Sequence, residues 1–461
     1  MTATEADSAA VSEAEQQVDT AVTNPAPVQD ALAGLTVAFS LLSKAIACSA
    51  IVGVNPLVGL WSSVVMGITA PLMGSRAGVI SGTAAVVIVP LSALTRTHGV
   101  QYMPLCILMG ALMQAVFGFC KLAKTARLVS DQVLSGFLNG LGFILFLSQK
   151  KVFTSAAAAG ALNPAIAMAA LCFSIVQTLP RFTKAVPSSL VGLVVATGVG
   201  SALNLPLATL ASSAAPGTFS GGLSSLPSLI DFGALWSMGT SLPALRLVLP
   251  AAISISIIAL VETLLAAKVV DEMMGIKSCP YPCKPEEATT DEEKELYEGC
   301  TPTTYDVPTA SVLGMSLGNA VSAMLGGFGG CGLIPQTVLN VKSGGGGPFS
   351  SAAYAAAMAA FVVFLAPLVG QISQAALAGI MLTVAYDTVA WGASIGALKA
   401  ALQPAKFPDP KGRAVDRLQR MIELLALGLS SYICYFGNLA VGIIAGVVTQ
   451  RGLMSLKKRL T

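Results

Sequence analysis

Apolar runs of about 20 residues recur along nearly the whole chain. That is the length a helix needs to cross the hydrocarbon core of a bilayer. Inside hydrocarbon the backbone must satisfy its own hydrogen bonds, which favours packed helices. Only 11% of residues are charged, against roughly a quarter in soluble domains. Spans are read near 31–54, 56–74, 78–96, 101–121, 132–149, 160–179, 186–204, 246–270, 308–326, 329–342, 351–372, 375–397, 418–435 and 437–455, about 14 in all. The expected fold class is therefore an all-α polytopic membrane protein.

Two of these spans, the third and the tenth, are too short or too Gly-rich to cross as one clean helix. The first break is Gly74–Thr83 (GSRAGVISGT) and the second Gly326–Ile334 (GGFGGCGLI). Each follows two long apolar spans in its own half, and each precedes a stretch that reads as a half-helix. Such backbone is tolerated at membrane depth only where protein or a water-filled cavity surrounds it. A pair of breaks at corresponding places is the sequence pointer to a secondary transporter with inverted repeats and a midplane site. Helix ends starting inside the membrane present unpaired N–H groups and a partial positive charge of about half a unit. Two of them facing each other suit an anion.

Basic residues set the expected orientation. With an even number of spans, Arg76, Lys121, Lys124, Arg127, Arg181, Lys184, Lys342, Lys399, Arg420, Arg451 and Arg459 share the side of both termini. Arg96, Lys150, Lys151 and Arg246 fall opposite. Both termini are expected in the cytoplasm, and the plasma membrane is the expected location. The net charge of +3 is spread through these loops and gives no reason to expect nucleic acid. Residues 1–27 read as a disordered acidic tail without Lys or Arg, unlike basic transit peptides. Residues 456–461 read as a short basic tail, with no soluble domain after it.

The one large polar insertion is 278–306, with Cys279, Cys283 and Cys300 beside an acidic run. A zinc site needs a fourth ligand, and the single histidine, His98, falls across the membrane. A plain solvated insertion is expected, and no cofactor. The remaining cysteines read as small apolar fillers. Gly344–Gly347 lacks the Lys-Ser/Thr of a phosphate loop and reads as a flexible turn. With one histidine and no catalytic constellation, the chain is not read as an enzyme.

Charges inside spans default to function. Lys44 lies mid-span in LTVAFSLLSKAIACSAIVG, and Glu262 past the middle of LVLPAAISISIIALVETLLAAK. Either the two pair to stabilise the bundle, or Lys44 supplies charge to an anion while Glu262 handles a cation or proton. Lys268 reads as snorkelling to the interface and Asp271 and Glu272 as solvated. Asp387 reads as hydrogen-bonded near an interface. Asn139 in SGFLNGLGF reads as an interhelical hydrogen bond beside close-packing glycines.

These segments closely resemble the sulfate permease (SulP) family of anion transporters. The resemblance is carried by GGFGGCGLIPQTVLNVKSGG (326–345), VETLLAAKVVDEMMG (261–275), GVNPLVGLW (53–61), SRAGVISGTAAVVIV (75–89), SGFLNGL (135–141) and LPRFTKAVPSSLV (179–191). It spans about residues 28–455. It implies seven plus seven inverted segments arranged as core and gate, the first repeat about 28–205 and the second about 244–455. The anion would lie between the N-terminal ends of spans three and ten, held by Ser81, Gly82 and Thr83 on one side and by backbone N–H groups of Gly332, Leu333 and Ile334 on the other. The usual family Thr aligns better with Ala84 than with Thr83. Glu262, with Thr263 beside it, falls where sodium-coupled bicarbonate members hold sodium.

Three departures are visible. Lys44 stands where the family usually has Gln or Glu. Ala266 replaces a Thr one turn after the acid, which removes an oxygen ligand for sodium. The regulatory STAS domain common in the family has no counterpart in this sequence. The resemblance therefore implies a secondary transporter of a small oxyanion, sulfate or bicarbonate, with sodium or a proton as coupling ion. Lys44 would add charge to the site. A passive anion channel or exchanger, or proton-coupled transport of organic dicarboxylates, are the alternatives. Membrane lipids and a second copy of the chain are the other expected partners.

Overall fold

The computed structural model describes residues 27–120, 131–182, 188–213, 219, 221, 227, 229–274, 307–402, 410–436 and 439–460. The acidic tail before residue 27 and the insertion 278–306 with Cys279, Cys283 and Cys300 lie outside the described residues.

Helix α1 (Pro27–Val52) is followed by α2 (Pro56–Leu72). Asn55 caps α2 by accepting the Leu57 N–H at 2.9 Å, with Pro56 at the first helical position, where no N–H is needed. The chain then runs extended through strand β1 (Ser81–Gly82) into α3 (Ala85–His98) and α4 (Met103–Phe119). The first half is completed by α5 (Asp131–Ser148), α6 (Lys150–Ala158), α7 (Leu162–Thr178) and α8 (Ser188–Ala202). Two short helices connect the halves, α9 (Leu210–Ser213) and α10 (Phe232–Gly239). The second half repeats the order: α11 (Leu242–Met273), α12 (Val307–Met324), strand β2 (Cys331–Gly332), α13 (Ile334–Lys342) and α14 (Pro348–Gly370). It ends with α15 (Gln374–Thr388), α16 (Trp391–Leu402), α17 (Pro410–Phe436) and α18 (Leu439–Leu460).

Among the described residues, seven helical stretches are long and apolar enough to cross a membrane, and α2, α3 and α8 are shorter apolar helices. The spans read near 132–149 and 375–397 both extend beyond those limits, as the bent pairs α5–α6 and α15–α16. Asn139 sits at the second bend. It accepts the Ala390 N–H at 2.9 Å and donates to Ser394 Oγ at 2.8 Å, the interhelical bond its sequence setting implies. Large apolar side chains such as Leu112 (67%), Phe119 (75%) and Phe364 (76%) lie exposed on the outside, as suits a surface facing acyl chains.

The helices sort into two bundles. In one, α1–α4 pack with α11–α14; in the other, α5, α7 and α8 pack with α15, and α17 packs on α5 and α18. Each half of the chain supplies equivalent pieces to both. The bundles touch where α1 meets α8 and α15, where α3 meets α5 and where α11 meets α18.

Within the first bundle α1 and α14 approach so closely that a Cβ at Gly34 would overlap the Ser350 carbonyl. One turn earlier, Asp30 is buried and accepts the N–H groups of Gly346 and Gly347, both at 3.0 Å, and of Ser350 at 2.9 Å. The Gly344–Gly347 run, expected to be a flexible turn, is thus pinned at its end. Its open N–H groups and the start of α14 supply what a carboxylate needs. Asp271, expected to be solvated, instead pairs with Arg76 at 2.5 Å, and both side chains are largely buried.

A separate edge joins the bundles. The peptide after α8 runs beside the turn between α14 and α15. There Leu210 donates to the Ile372 carbonyl and Gln374 to that of Ala208, both at 3.0 Å, around a Thr209–Ser373 bridge.

Candidate functional site

The two Gly-broken segments meet. β1 and β2 form a two-stranded antiparallel sheet, with Ser81 opposite Gly332 and Gly82 opposite Cys331. The pairing is extended by the Leu333 N–H, which donates to the Ile80 carbonyl at 2.8 Å. An antiparallel pair has a local twofold axis across it, so the breaks are related as inverted equivalents. Gly330 is required by this approach: a Cβ there would overlap the Gly82 carbonyl.

Non-helical backbone in a buried, apolar bundle needs partners. Here single polar side chains from neighbouring helices supply them. Phe328 N–H donates to Ser62 Oγ (3.1 Å), Gly329 N–H to Ser322 Oγ (3.0 Å) and Gly330 N–H to Asn319 Oδ1 (2.8 Å). Asn319 in turn donates to Gln114 Oε1 at 2.9 Å. Gly332 N–H donates to Thr263 Oγ1 (2.9 Å), Ile80 N–H to Thr337 Oγ1 (3.1 Å) and Thr83 N–H to Ser63 Oγ (3.2 Å). Sequence reading missed Ser62, Ser63, Asn319, Ser322 and Thr337. Ser62 and Ser63 are neighbours in an apolar run, Thr337 follows Gln336, and Asn319 and Ser322 stand singly among apolar residues, so only the contact across helices gives each its meaning.

Immediately beyond the crossing, α3 and α13 begin. Their N-cap residues are Ala84 and Leu333, and neither makes a side-chain cap. In α3 the Val87 N–H turns back to the Ala84 carbonyl at 3.2 Å, and in α13 Pro335 has no N–H, which leaves Ala85, Val86, Ile334 and Gln336 as the first-turn donors. Both helices therefore start with open donors and the positive end of the peptide dipole beside the same small sheet.

The residues expected to bind the anion lie at or next to this crossing. Ser81 and Gly82 form β1; Ser81 is buried, and its hydroxyl makes no hydrogen bond among the described residues. Thr83 is buried, and its hydroxyl is committed to α2: it donates to the Gly59 carbonyl at 2.7 Å and accepts from Ser63 at 2.9 Å. Two expected backbone donors, Gly332 and Leu333, already use their N–H groups on Thr263 and Ile80. Ile334 is the first residue of α13.

Glu262 and Thr263 project from α11 onto β2. Glu262 Oε2 accepts the Cys331 thiol at 3.3 Å, and Thr263 Oγ1 donates to Met315 Sδ at 3.0 Å. Cys331 is therefore more than an apolar filler. Ala266 is fully buried one turn on, beside Gly332. Lys44 is half-buried on α1, three residues from Leu41, whose side chain packs over Gly82. Lys44 and Glu262 form no ion pair with each other, so the pairing, one of the two alternatives read from the sequence, is not made in this structure. The geometry gives the physical reason. Glu262 is turned to Cys331 on β2, whereas Lys44 lies on α1, which packs against α15, the helix that carries Asp387.

The sulfate permease family model matches residues 28–162 and 310–403. YbaR of Bacillus subtilis, named as a sulfate transporter, is 30% identical over 81% of this chain and 69% of its own length. The bicarbonate transporter BicA of Picosynechococcus sp. is 26% identical over 84% of this chain and 64% of its own. The chain thus spans about two thirds of the length of these relatives. Among solved structures, the transmembrane domain of a cyanobacterial bicarbonate transporter BicA superposes with a TM-score of 0.66 at 22% identity, covering 92% of this chain and 96% of that one. The murine anion transporter Slc26a9 in its inward-facing state gives 0.66 at 13% identity, covering 94% and 69%. The fold is accordingly that of an all-α polytopic membrane protein with two inverted repeats of seven segments.

Proposed function

This chain belongs to the sulfate permease family, and from that premise we propose that it is a secondary transporter of a small oxyanion, sulfate or bicarbonate, working by alternating access. The observation that carries this reading is the β1–β2 crossing, which sets the uncapped starts of α3 and α13 side by side. Names borne by relatives supply the two substrates.

In this reading the anion takes the first-turn N–H groups of Ala85 and Val86 in α3 and of Ile334 and Gln336 in α13, Pro335 having none to offer, together with the Ser81 hydroxyl. Gly82, Thr83, Gly332 and Leu333 hold the crossing in register. Lys44 adds the full positive charge that peptide dipoles alone lack. Glu262 and Thr263 serve the coupling ion, and the replacement of a family Thr by Ala266 favours a proton over sodium. The α1–α4/α11–α14 bundle moves as a body against the other, which keeps the crossing intact while its access changes sides. Both termini face the cytoplasm of a plasma-membrane protein, and a homodimer is the assembly to look for.

The test is uptake into vesicles containing the reconstituted chain. Radiolabelled sulfate, bicarbonate, chloride, oxalate and dicarboxylates are compared, with and without sodium and a pH gradient. Saturable uptake of sulfate or bicarbonate, weakened at least about tenfold in affinity by Lys44→Gln, is the expected result. Ohmic current without saturation identifies a channel instead. No flux of any anion overturns the reading.

A further inference from the structure

Lys44 stands between the crossing and the second bundle. It is three residues after Leu41, which packs over Gly82, and four after Ser40, whose carbonyl accepts the Ser189 hydroxyl of α8 at 3.3 Å. Residues three and four apart share a helix face, so Lys44 lies on the flank of α1 that meets both the site and the opposing bundle. On that bundle α15 packs against α1, with Asp387 in its last turn. Asp387 is held in place: its Oδ1 accepts Gln177 Nε2 of α7 at 3.0 Å. Its neighbour Tyr386 packs edge-on against Phe173 and beside Trp391. The carbonyl end of α15 adds partial negative charge at the same spot. A lysine carries a compact charge on a flexible four-carbon stem, and so can serve two acceptors in turn.

We propose that the Lys44 ammonium is shared between the transported anion and Asp387, so that the anion competes with a carboxylate of the opposing bundle. Lys44 and Asp387 stand open in this structure, with no ion pair between them, and it is their closure that latches α1 to α15 when no anion is bound. A bound anion draws the ammonium to the crossing and frees the two bundles to move. Gln177 acts as a positioning residue for the latch. This inference rests on the reading that Lys44 is an anion ligand, and the experiment separates the two.

Binding of radiolabelled sulfate is measured on the purified full chain for wild type, Lys44→Gln, Asp387→Asn and the double variant. Asp387 is exposed, so Asp387→Ser serves as a second neutral variant and Asp387→Glu as the conservative one. The reading is tested by the first pair: no sulfate binding by wild type, or no weakening in Lys44→Gln, overturns it and the inference together. The inference is tested by the rest. Asp387→Asn and Asp387→Ser should tighten sulfate binding at least about threefold, Asp387→Glu should restore the wild-type value, and the effect should vanish in the Lys44→Gln background. Unchanged or weaker binding in the neutral variants overturns the latch. So does an equal shift with and without Lys44.

Discussion

Asp30 and Ser350 meet carboxylate to backbone, Oδ2 to N–H at 2.9 Å, with the carboxylate 1% exposed. The first helix of one repeat thereby caps α14, the second helix after the break in the other. Asp30→Ala leaves the N–H groups of Gly346, Gly347 and Ser350 without their acceptor. It should cost about 2–3 kcal/mol of stability, with Asp30→Asn losing less, read as thermal unfolding of the detergent-solubilised chain. An unchanged midpoint contradicts the capping role.

Gly330→Ala should abolish uptake and lower the unfolding midpoint sharply. The added methyl would occupy the place of the Gly82 carbonyl, and backbone cannot step aside cheaply. Gly198→Ala is the control, because open space surrounds that helical position. It should leave both quantities unchanged.

Asn319→Leu strands the Gly330 N–H and the Gln114 side chain in a buried setting. The expected cost is about 1–3 kcal/mol, accompanied by reduced uptake because β2 loses one of its anchors. Wild-type stability in this variant would show that the extended segment finds other partners.

Arg76 and Asp271 tie the turn before β1 to the far end of α11. A double-mutant cycle with Arg76→Gln and Asp271→Asn should return a coupling of about 0.5–3 kcal/mol. Additive losses would mean that the pair contributes no more than two separate side chains.

Replacing sodium with choline should leave uptake largely intact, since Ala266 offers no oxygen where the family has a hydroxyl. Glu262→Gln should then alter the response of uptake to a pH gradient. Strict sodium dependence in the wild type would reverse this assignment of the coupling ion.

The breaks were legible because glycine clusters interrupt otherwise continuous apolar runs, and Asn139 because an amide in such a run needs a partner across helices. Lys44 and Glu262 stood out by charge alone. The partner of Glu262 did not, since Cys331 lies far away in sequence and nothing in spacing links the two. The register of Ser81 on Gly332 was equally out of reach: two glycine-rich segments pair in many ways until the surrounding Ser, Thr and Asn side chains choose one. Asp30 was hidden by its place at the margin of a span, where an acid reads as solvated.

The Thr209–Ser373 bridge also bears on the movement proposed for the two bundles. The turn between α14 and α15 passes from one bundle to the other, and its peptides are sewn to the strand leaving α8. Under the alternating access proposed above, such a seam would stay closest to fixed, and the widest excursion would belong to the helices farthest from it.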